Sequence, residues 1–257
     1  MTFLDRSDRT TLAAARLFAG QEDGTVIGED AGMLMVASAR PYLRSLFYSS
    51  ARRYDRTVPA AKSMEAVRSF GAEHSQPLNL WASVDGDADL IAAAEAIGMT
   101  RGIELDDMGT TTAPAIPAPG PEVELAEVRD PEEADAFAEV HRALRIEAKQ
   151  DPDTVLHFGS PAVLLDPHVH AFVAYLEREP AAAALALRHE DSAGLFWVAT
   201  KTSARKRGLG ALVSAAAVDG AFQAGAKSAT LTATPLGAPV YRRLGFERFS
   251  GRARYSF

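Results

Sequence analysis

The chain has no cysteine. That excludes disulfides, thiolate nucleophiles and cysteine-built zinc sites, and it fits a reducing compartment. It also lacks any uninterrupted apolar run of about 20 residues, the length a membrane-crossing helix needs. The alanine-rich stretch Ala181–Leu187 is far too short. The opening MTFLDRSDRTTLAAARLF carries charges every few positions and no apolar core, so no signal peptide is expected and a soluble cytoplasmic protein is the default. Positive charge is scarce: 27 Lys and Arg stand against 34 Asp and Glu, a net charge of −7. Nucleic acids and anionic membranes both select a basic face, so neither is an expected partner. The Rossmann pattern G-x-G-x-x-G and the P-loop pattern are absent too, which removes the two commonest glycine-rich phosphate sites.

What is present is ordinary globular material. The chain has 257 residues, 47% hydrophobic and 24% charged, enough for two domains of about 100–150 residues, each with its own core. Gly109–Pro121 (GTTTAPAIPAPGP) holds four prolines and no charge. Proline fixes the backbone and pushes the preceding residue to an extended conformation, so this segment reads as a semi-rigid linker between domains at 1–108 and 122–257.

After the linker, Glu122–Val128 alternates as a strand. Asp130, Pro131, Glu132 and Glu133 form a helix start: a capping carboxylate, proline at the first helical position and acids in the first turn. Thr154–Leu165 reads as a second, less regular helix. Val169–Leu176, Ala181–Arg188 and Ala193–Thr200 are strands separated by polar turns, an antiparallel meander. A basic glycine loop, Arg205–Gly210, leads into a helix with Leu209, Leu212, Val213, Ala216, Ala217 and Ala221 on one face, ended by Gly225. A strand (Ser228–Ala233), a short helix around Pro239–Leu244 and a last strand (Glu247–Phe257) complete the order β-α-α-β-β-β-loop-α-β-α-β. In the first half, Leu12–Phe18, Ser63–His74 and Asp89–Ile97 read as helices, and Met33–Ala37, Leu78–Val84 and Ile103–Leu105 as strands.

The chemistry concentrates in LFWVATKTSARKRGLG, Leu195–Gly210. A buried strand runs into a loop that opens a helix. Unpaired N–H groups at such a helix start sit at the positive end of the macrodipole. Gly208 and Gly210 let the backbone approach an anion, and Arg205, Lys206 and Arg207 add charge. This is a pyrophosphate-binding design.

With those residues in place, the sequence resembles the GNAT superfamily of N-acetyltransferases, whose acetyl-CoA signature [Q/R]-x-x-G-x-[G/A] is filled by Arg205, Gly208 and Gly210. The family closes with Tyr followed by Leu-Gly-Phe, matched by Tyr241, Leu244, Gly245 and Phe246. Thr200 and Thr202 depart from the hydrophobic residue and proline usual before the loop, and Thr234 stands where many members have Asn. The resemblance covers about 135 residues. It implies a mixed α/β acyl-CoA N-acyltransferase fold and transfer of an acetyl group from acetyl-CoA to an amine of a small molecule or peptide, without a metal. Backbone groups of Val198, Ala199 and Thr200 would hold the pantetheine arm as an added strand. Arg205, Lys206, Arg207, Gly208, Leu209 and Gly210 would hold the pyrophosphate, Thr234 would lie in the cofactor site, and Tyr241 would protonate the leaving thiolate. Without a cysteine to carry the acyl group, the amine would attack directly in a ternary complex. A non-catalytic acyl-CoA-binding or regulatory module is the alternative, and a homodimer stays open.

The general base is not marked. His141, Glu147, His189 and Glu190 are candidates, though each reads more readily as a solvated surface residue, and a water-mediated base stays open. His168 and His170 would share a strand face but lack a third metal ligand. Trp81 and Trp197 read as core. Arg52, Arg53, Arg242 and Arg243 read as solvated, with Arg52 or Arg53 free to face an acidic partner. In the first half, Leu90–Met99 followed by Thr100–Met108 resembles the helix, glycine and late strand of a second GNAT unit. It has neither the R-x-x-G-x-G loop nor the Tyr-x-x-Leu-Gly-Phe ending, so it reads as a degenerate, non-catalytic copy, with an unrelated α/β domain as the alternative.

Overall fold

The computed structural model describes residues 1–39 and 46–257. The chain forms two compact units. The first holds Met1–Met108, Thr232–Pro235 and Arg248–Phe257; the second holds Gly109–Leu231 and Leu236–Glu247.

The first unit begins with α1 (Phe3–Ala19). It starts nine residues earlier than the apolar pattern indicates, because Thr2 and Asp5 cap it reciprocally, with Asp5 N–H donating to Thr2 Oγ1 at 3.2 Å and Thr2 N–H to Asp5 Oδ2 at 2.9 Å. Then come β1 (Val26–Asp30), β2 (Met33–Ala37), β3 (Ser50–Arg53), α2 (Ala60–Glu73), β4 (Asn79–Ser83), α3 (Ala88–Ala96) and β5 (Thr100–Thr110), whose last two residues belong to the second unit. The expected strand at Ile103–Leu105 is the middle of β5. β1 and β3 were not expected.

The second unit holds β6 (Val123–Glu127), α4 (Pro131–Glu147), α5 (Leu156–Gly159), α6 (Pro161–Leu164), β7 (Val169–Leu176), β8 (Glu179–His189), β9 (Ser192–Thr200), α7 (Leu209–Gln223), β10 (Ser228–Ala233), whose last two residues belong to the first unit, and α8 (Ala238–Arg243). The irregular helix expected over Thr154–Leu165 is a 3₁₀ turn (Pro152–Val155) followed by the single turns α5 and α6. Ser160 is extended before Pro161, which interrupts the helix there. The final strand β11 (Glu247–Ser256) lies mostly in the first unit.

Both units are mixed α/β sheets covered by helices. The first runs β1-β2-β3-β4-β11-β5 and the second β10-β9-β8-β7-β6. β6 to β9 pair antiparallel throughout. Ala181–Leu187 of β8 is wholly buried because α4 packs on β8 and so does α7, which explains a continuous run of small and branched apolar residues where a one-sided strand would alternate. α4 begins as its sequence indicates, with Glu133 N–H donating to Asp130 Oδ1 at 2.9 Å and Pro131 in the first turn. Gly225, at φ +105°, closes α7.

The first unit holds a charged interior. Arg52 and Arg53, expected to be solvated, are buried at 3% and 1% exposure. Consecutive strand residues point to opposite faces, so both arginines enter the fold when both faces of β3 are covered. Arg53 grips Asp89 at 2.7 and 3.1 Å and Val58 C=O at 2.5 Å. Arg252 of β11 pairs with Asp107 at 2.7 Å and Asp8 at 3.3 Å, and Arg56 with Asp8 at 2.8 Å and Asp87 at 2.9 Å. Burial opposes the charge of Arg252, but Asp107 and Asp8 outweigh it and hold the guanidinium above its ordinary value. Among the described residues none of the three Arg52 nitrogens has a hydrogen-bond partner. Burial, and then the charge of Arg252, pushes its guanidinium down to about 9.

Candidate functional site

Two strands and a helix start build the site in the second unit. β9 and β10 run parallel and pair only at Ser192–Ser228, Ala193–Ala229 and Gly194–Thr230. Beyond Gly194 the pairing with β10 stops, and among the described residues no other strand pairs with the β10-facing edge of Leu195–Thr200. Across β9's other edge the register slips by one. Ala183 lies opposite Ala199 and Leu185 opposite Phe196, so Trp197 and Val198 share the place opposite Ala184. This is a β-bulge, and its Trp197 takes φ +51°. Past the bulge, Lys201 N–H donates to Ala181 C=O at 2.9 Å. By strand alternation Ala199 also turns its peptide groups to β8, and Val198 and Thr200 turn theirs to the open edge.

The loop after β9 enters α7 through Gly208, its N-cap, at φ +80°. A Cβ there would meet nothing within 4 Å, so glycine is required by the left-handed backbone and not by crowding. The first intrahelical bond is Leu212 N–H to Gly208 C=O at 3.0 Å. The N–H groups of Leu209, Gly210 and Ala211 precede it and face out of the positive helix end. Arg205, Lys206, Arg207 and Gly208 are exposed around that end. α4 braces the loop from below: Glu139 holds Lys201 Nζ at 2.5 Å and Glu147 accepts from Thr202 Oγ1 at 2.6 Å. The arrangement suits an extended ligand with amide groups for a strand edge and an oxyanion for a helix start.

Tyr241 is on α8, its ring against Phe246 at 6.1 Å. Burial pushes its phenol up to about 12, and the nearby Ser214 hydroxyl on α7 pulls the other way. Ser214 Oγ is buried without a hydrogen bond of good geometry, so the two hydroxyls are neighbours more than partners. At neutral pH Tyr241 therefore carries its proton. Thr234 is exposed in the connection between β10 and α8.

The four base candidates separate. His141, expected at the surface, is buried at 7% exposure. It lies on the apolar face of α4, between Phe137 and Phe158 with ring centroids 5.0 Å from each. Burial, then the charge of Arg145, pushes its imidazole down to about 3, opposed by a hydrogen bond to the Trp197 backbone. An imidazole shifted that far is neutral at neutral pH and carries a single ring N–H. Glu147 is engaged with the loop. His189 and Glu190 sit at the far end of β9, roughly 26 Å from Thr200 along an eight-step strand at about 3.3 Å per residue. Trp81 is buried as expected, whereas Trp197 is half-buried and stacks on Phe158 at 3.6 Å and 4°. Arg188 reaches His168 Nδ1 at 3.0 Å, and burial lowers the imidazole of His170. Among the described residues no group of three His, Asp or Glu could hold a metal ion, and no helix is long and apolar enough to cross a membrane.

The bulge and the strand separation escaped the sequence reading. A bulge is set by what packs on it, and the residues that do so, His141 and Phe158, lie 56 and 39 positions upstream of Trp197.

The corresponding elements of the first unit are closed. β3 and β4 pair from Ser50–Asn79 to Arg52–Trp81, and β4 pairs on its other side with β11. The connection to α2 has no glycine, and Pro59 caps α2 without a left-handed turn. A groove of about 1040 Å³ between α2 and α3 is walled mainly by apolar residues, Met64, Val67, Leu78, Met99 and Phe257 among them, with Glu65, Arg68 and Gln76 also in its lining.

Residues 132–246 match the model of the acetyltransferase (GNAT) family. A GCN5-related N-acetyltransferase from Kribbella flavida is similar in structure, with a TM-score of 0.71 at 20% identity over 97% of this chain and 95% of that one. A tandem GNAT protein from the clavulanic acid biosynthesis pathway gives 0.63 at 14% identity over 98% and 96%. A GCN5-related N-acetyltransferase from Sphaerobacter thermophilus gives 0.56 at 13% over 99% and 93%. No curated protein sequence matches the chain. At these identities the structures establish the fold: the whole chain is built like a tandem GNAT protein.

Proposed function

We propose that the second unit, whose residues 132–246 match the acetyltransferase (GNAT) family model, transfers an acetyl group from acetyl-CoA to an amine. The observation that carries the reading is the separation of β9 from β10 beside a glycine-capped, cation-rich helix start. Val198, Ala199 and Thr200 would hold the pantetheine arm, with Val198 and Thr200 pairing it as an added strand. Arg205, Lys206, Arg207 and the N–H groups of Gly208, Leu209 and Gly210 would hold the pyrophosphate.

The amine nitrogen attacks the thioester carbonyl. A C–N bond forms, the C–S bond breaks, and the nitrogen loses a proton. Tyr241 hands its phenolic proton to the leaving thiolate and recovers one from the amine side by way of solvent. With no cysteine to carry the acyl group, attack is direct and both substrates are bound together. The acceptor is a small molecule or a peptide amine.

One observation favours a different reading, an acyl-CoA-binding module without turnover: none of the four candidate bases is available at the site. Calorimetry with acetyl-CoA, followed by thiol release across a panel of amines, separates the two. Binding with thiol release supports the enzyme, and binding with none supports the module. An absence of acetyl-CoA binding sinks both.

A further inference from the structure

The connection from β9 to α7 is anchored at its start and exposed at its end. Lys201 N–H donates to Ala181 C=O at 2.9 Å, Thr202–Ala204 form one 3₁₀ turn, and the Ala204 side chain is buried. Arg205, Lys206 and Arg207 then run exposed to Gly208, with Lys206 at φ +63°. Three like charges in succession repel, and a left-handed lysine costs energy, so the cationic end needs support from outside it.

We propose that Glu147 is a positioning residue for acyl-CoA binding. From the last turn of α4 its carboxylate holds the Thr202 hydroxyl and so fixes the turn from which the pyrophosphate loop starts. The inference rests on the acyl-CoA reading of that loop.

Three observations support it. First, the contact is direct. Thr202 Oγ1 donates to Glu147 Oε2 at 2.6 Å, a charge-assisted bond between residues 55 positions apart. One residue earlier, Lys201 Nζ donates to Glu139 Oε1 at 2.5 Å, so α4 holds two consecutive residues at the root of the loop. Second, electrostatics give Glu147 no other reason to be there. It is the last residue of α4, where a carboxylate opposes the helix dipole, and its charge works against a pyrophosphate on the loop it supports. Third, the bond supplies stiffness that the backbone lacks. Lys201, at ψ 140°, already has the extended conformation of a residue before proline, and Thr202 opens a helical turn, where proline is tolerated. Threonine leaves that position free to turn, and Glu147 ties it down.

The test compares the full chain with Glu147→Ala, Glu147→Gln, and Glu147→Ala combined with Thr202→Pro. Acetyl-CoA affinity is measured by calorimetry, and trypsin cleavage after Arg205, Lys206 and Arg207 is followed by mass spectrometry. Glu147 and Thr202 are both exposed, so none of these changes disturbs a core. Neither readout involves proton transfer, so a general-base role for Glu147 would move neither. We expect the Ala variant to bind acetyl-CoA at least about fivefold more weakly and to be cleaved at least about fivefold faster. The Gln variant keeps an acceptor oxygen without the charge, and the proline variant stiffens the turn without the contact; each should return affinity to within about twofold of the parent. Charge alone predicts the opposite sign, tighter binding by the Ala and Gln variants alike. An Ala variant that binds as tightly as the parent, or is cleaved no faster, overturns the proposal, as does a loss that neither Gln nor proline rescues. A parent that binds no acetyl-CoA overturns the acyl-CoA reading itself and the binding role with it, a result distinct from a parent and an Ala variant that bind equally.

Discussion

Acid should reveal His141 through stability before it reveals it through chemistry. In the folded chain burial holds the imidazole near 3, against 6.5 when it is free in water. Between those values the unfolded chain takes a proton at this position and the folded chain does not. Folding stability is therefore complete above about pH 6.5 and declines as the pH falls toward 3. Each pH step of one costs about 1.4 kcal/mol, so by pH 5 this group alone removes about 2 kcal/mol. That is a sizeable fraction of the 5–15 kcal/mol typical of a folded domain. The measurement is urea unfolding of the parent chain and His141→Phe at pH 7.5 and at pH 5. The other histidines are common to both proteins and cancel in the difference. We expect the parent's advantage over the variant to shrink, or its deficit to grow, by about 2 kcal/mol on going to pH 5. A difference that is the same at both pH values would mean that the ring titrates normally, and the buried, neutral histidine described here would be wrong.

Tyr241→Phe should slow turnover at least about tenfold, the low end for a positioned acid, while leaving acetyl-CoA affinity nearly unchanged; equal rates would remove the phenol from the mechanism. Gly208→Glu should abolish acetyl-CoA binding, because it sets a carboxylate at a cationic helix start and a side chain at φ +80°; retained affinity would refute the pyrophosphate assignment. In the first unit, Arg252→Met should cost about 3–5 kcal/mol by leaving Asp107 and Asp8 buried and short of a partner. Arg52→Met should be neutral or stabilising, since Arg52 has no hydrogen bond to lose. Denaturant midpoints of the two variants test that contrast, and equal losses would show that Arg52 is paired.

What could be read along the chain was local chemistry. Asp130 and Pro131 announced α4, polar turns announced the meander, and Arg205, Gly208 and Gly210 announced the loop, because each signal lies within a few residues of its effect. β3 was missed because SARR is four residues long and carries two charges, a poor strand by composition. Its arginines enter the interior only because Asp8, Asp87, Asp89 and Asp107 come from other elements to surround them. The same holds at the site. The helix start was legible down to its glycine, but the bulge beside it depends on His141 and Phe158. The destination of β11 depends on Ser83, Trp81 and Leu80, its partners more than 160 positions upstream. His141 itself sat in plain view on a helix face, and only its neighbours distinguish a titrating surface histidine from a neutral donor.

The position of β11 between β4 and β5 has a consequence for the order of events during synthesis. Residues up to Met108 leave the ribosome well before Arg248–Phe257, the segment that completes their sheet. At about 5–20 residues per second the interval is roughly 7–30 s. Throughout it, the nascent first unit has two strands with unfilled edges and an aspartate, Asp107, still waiting for Arg252. The half of the molecule made first is thus the half whose sheet is completed last. Release of a chain stopped before Arg248 would free an aggregation-prone sheet edge, where a chain stopped within the closing strand of an independent second domain would have left the first half intact.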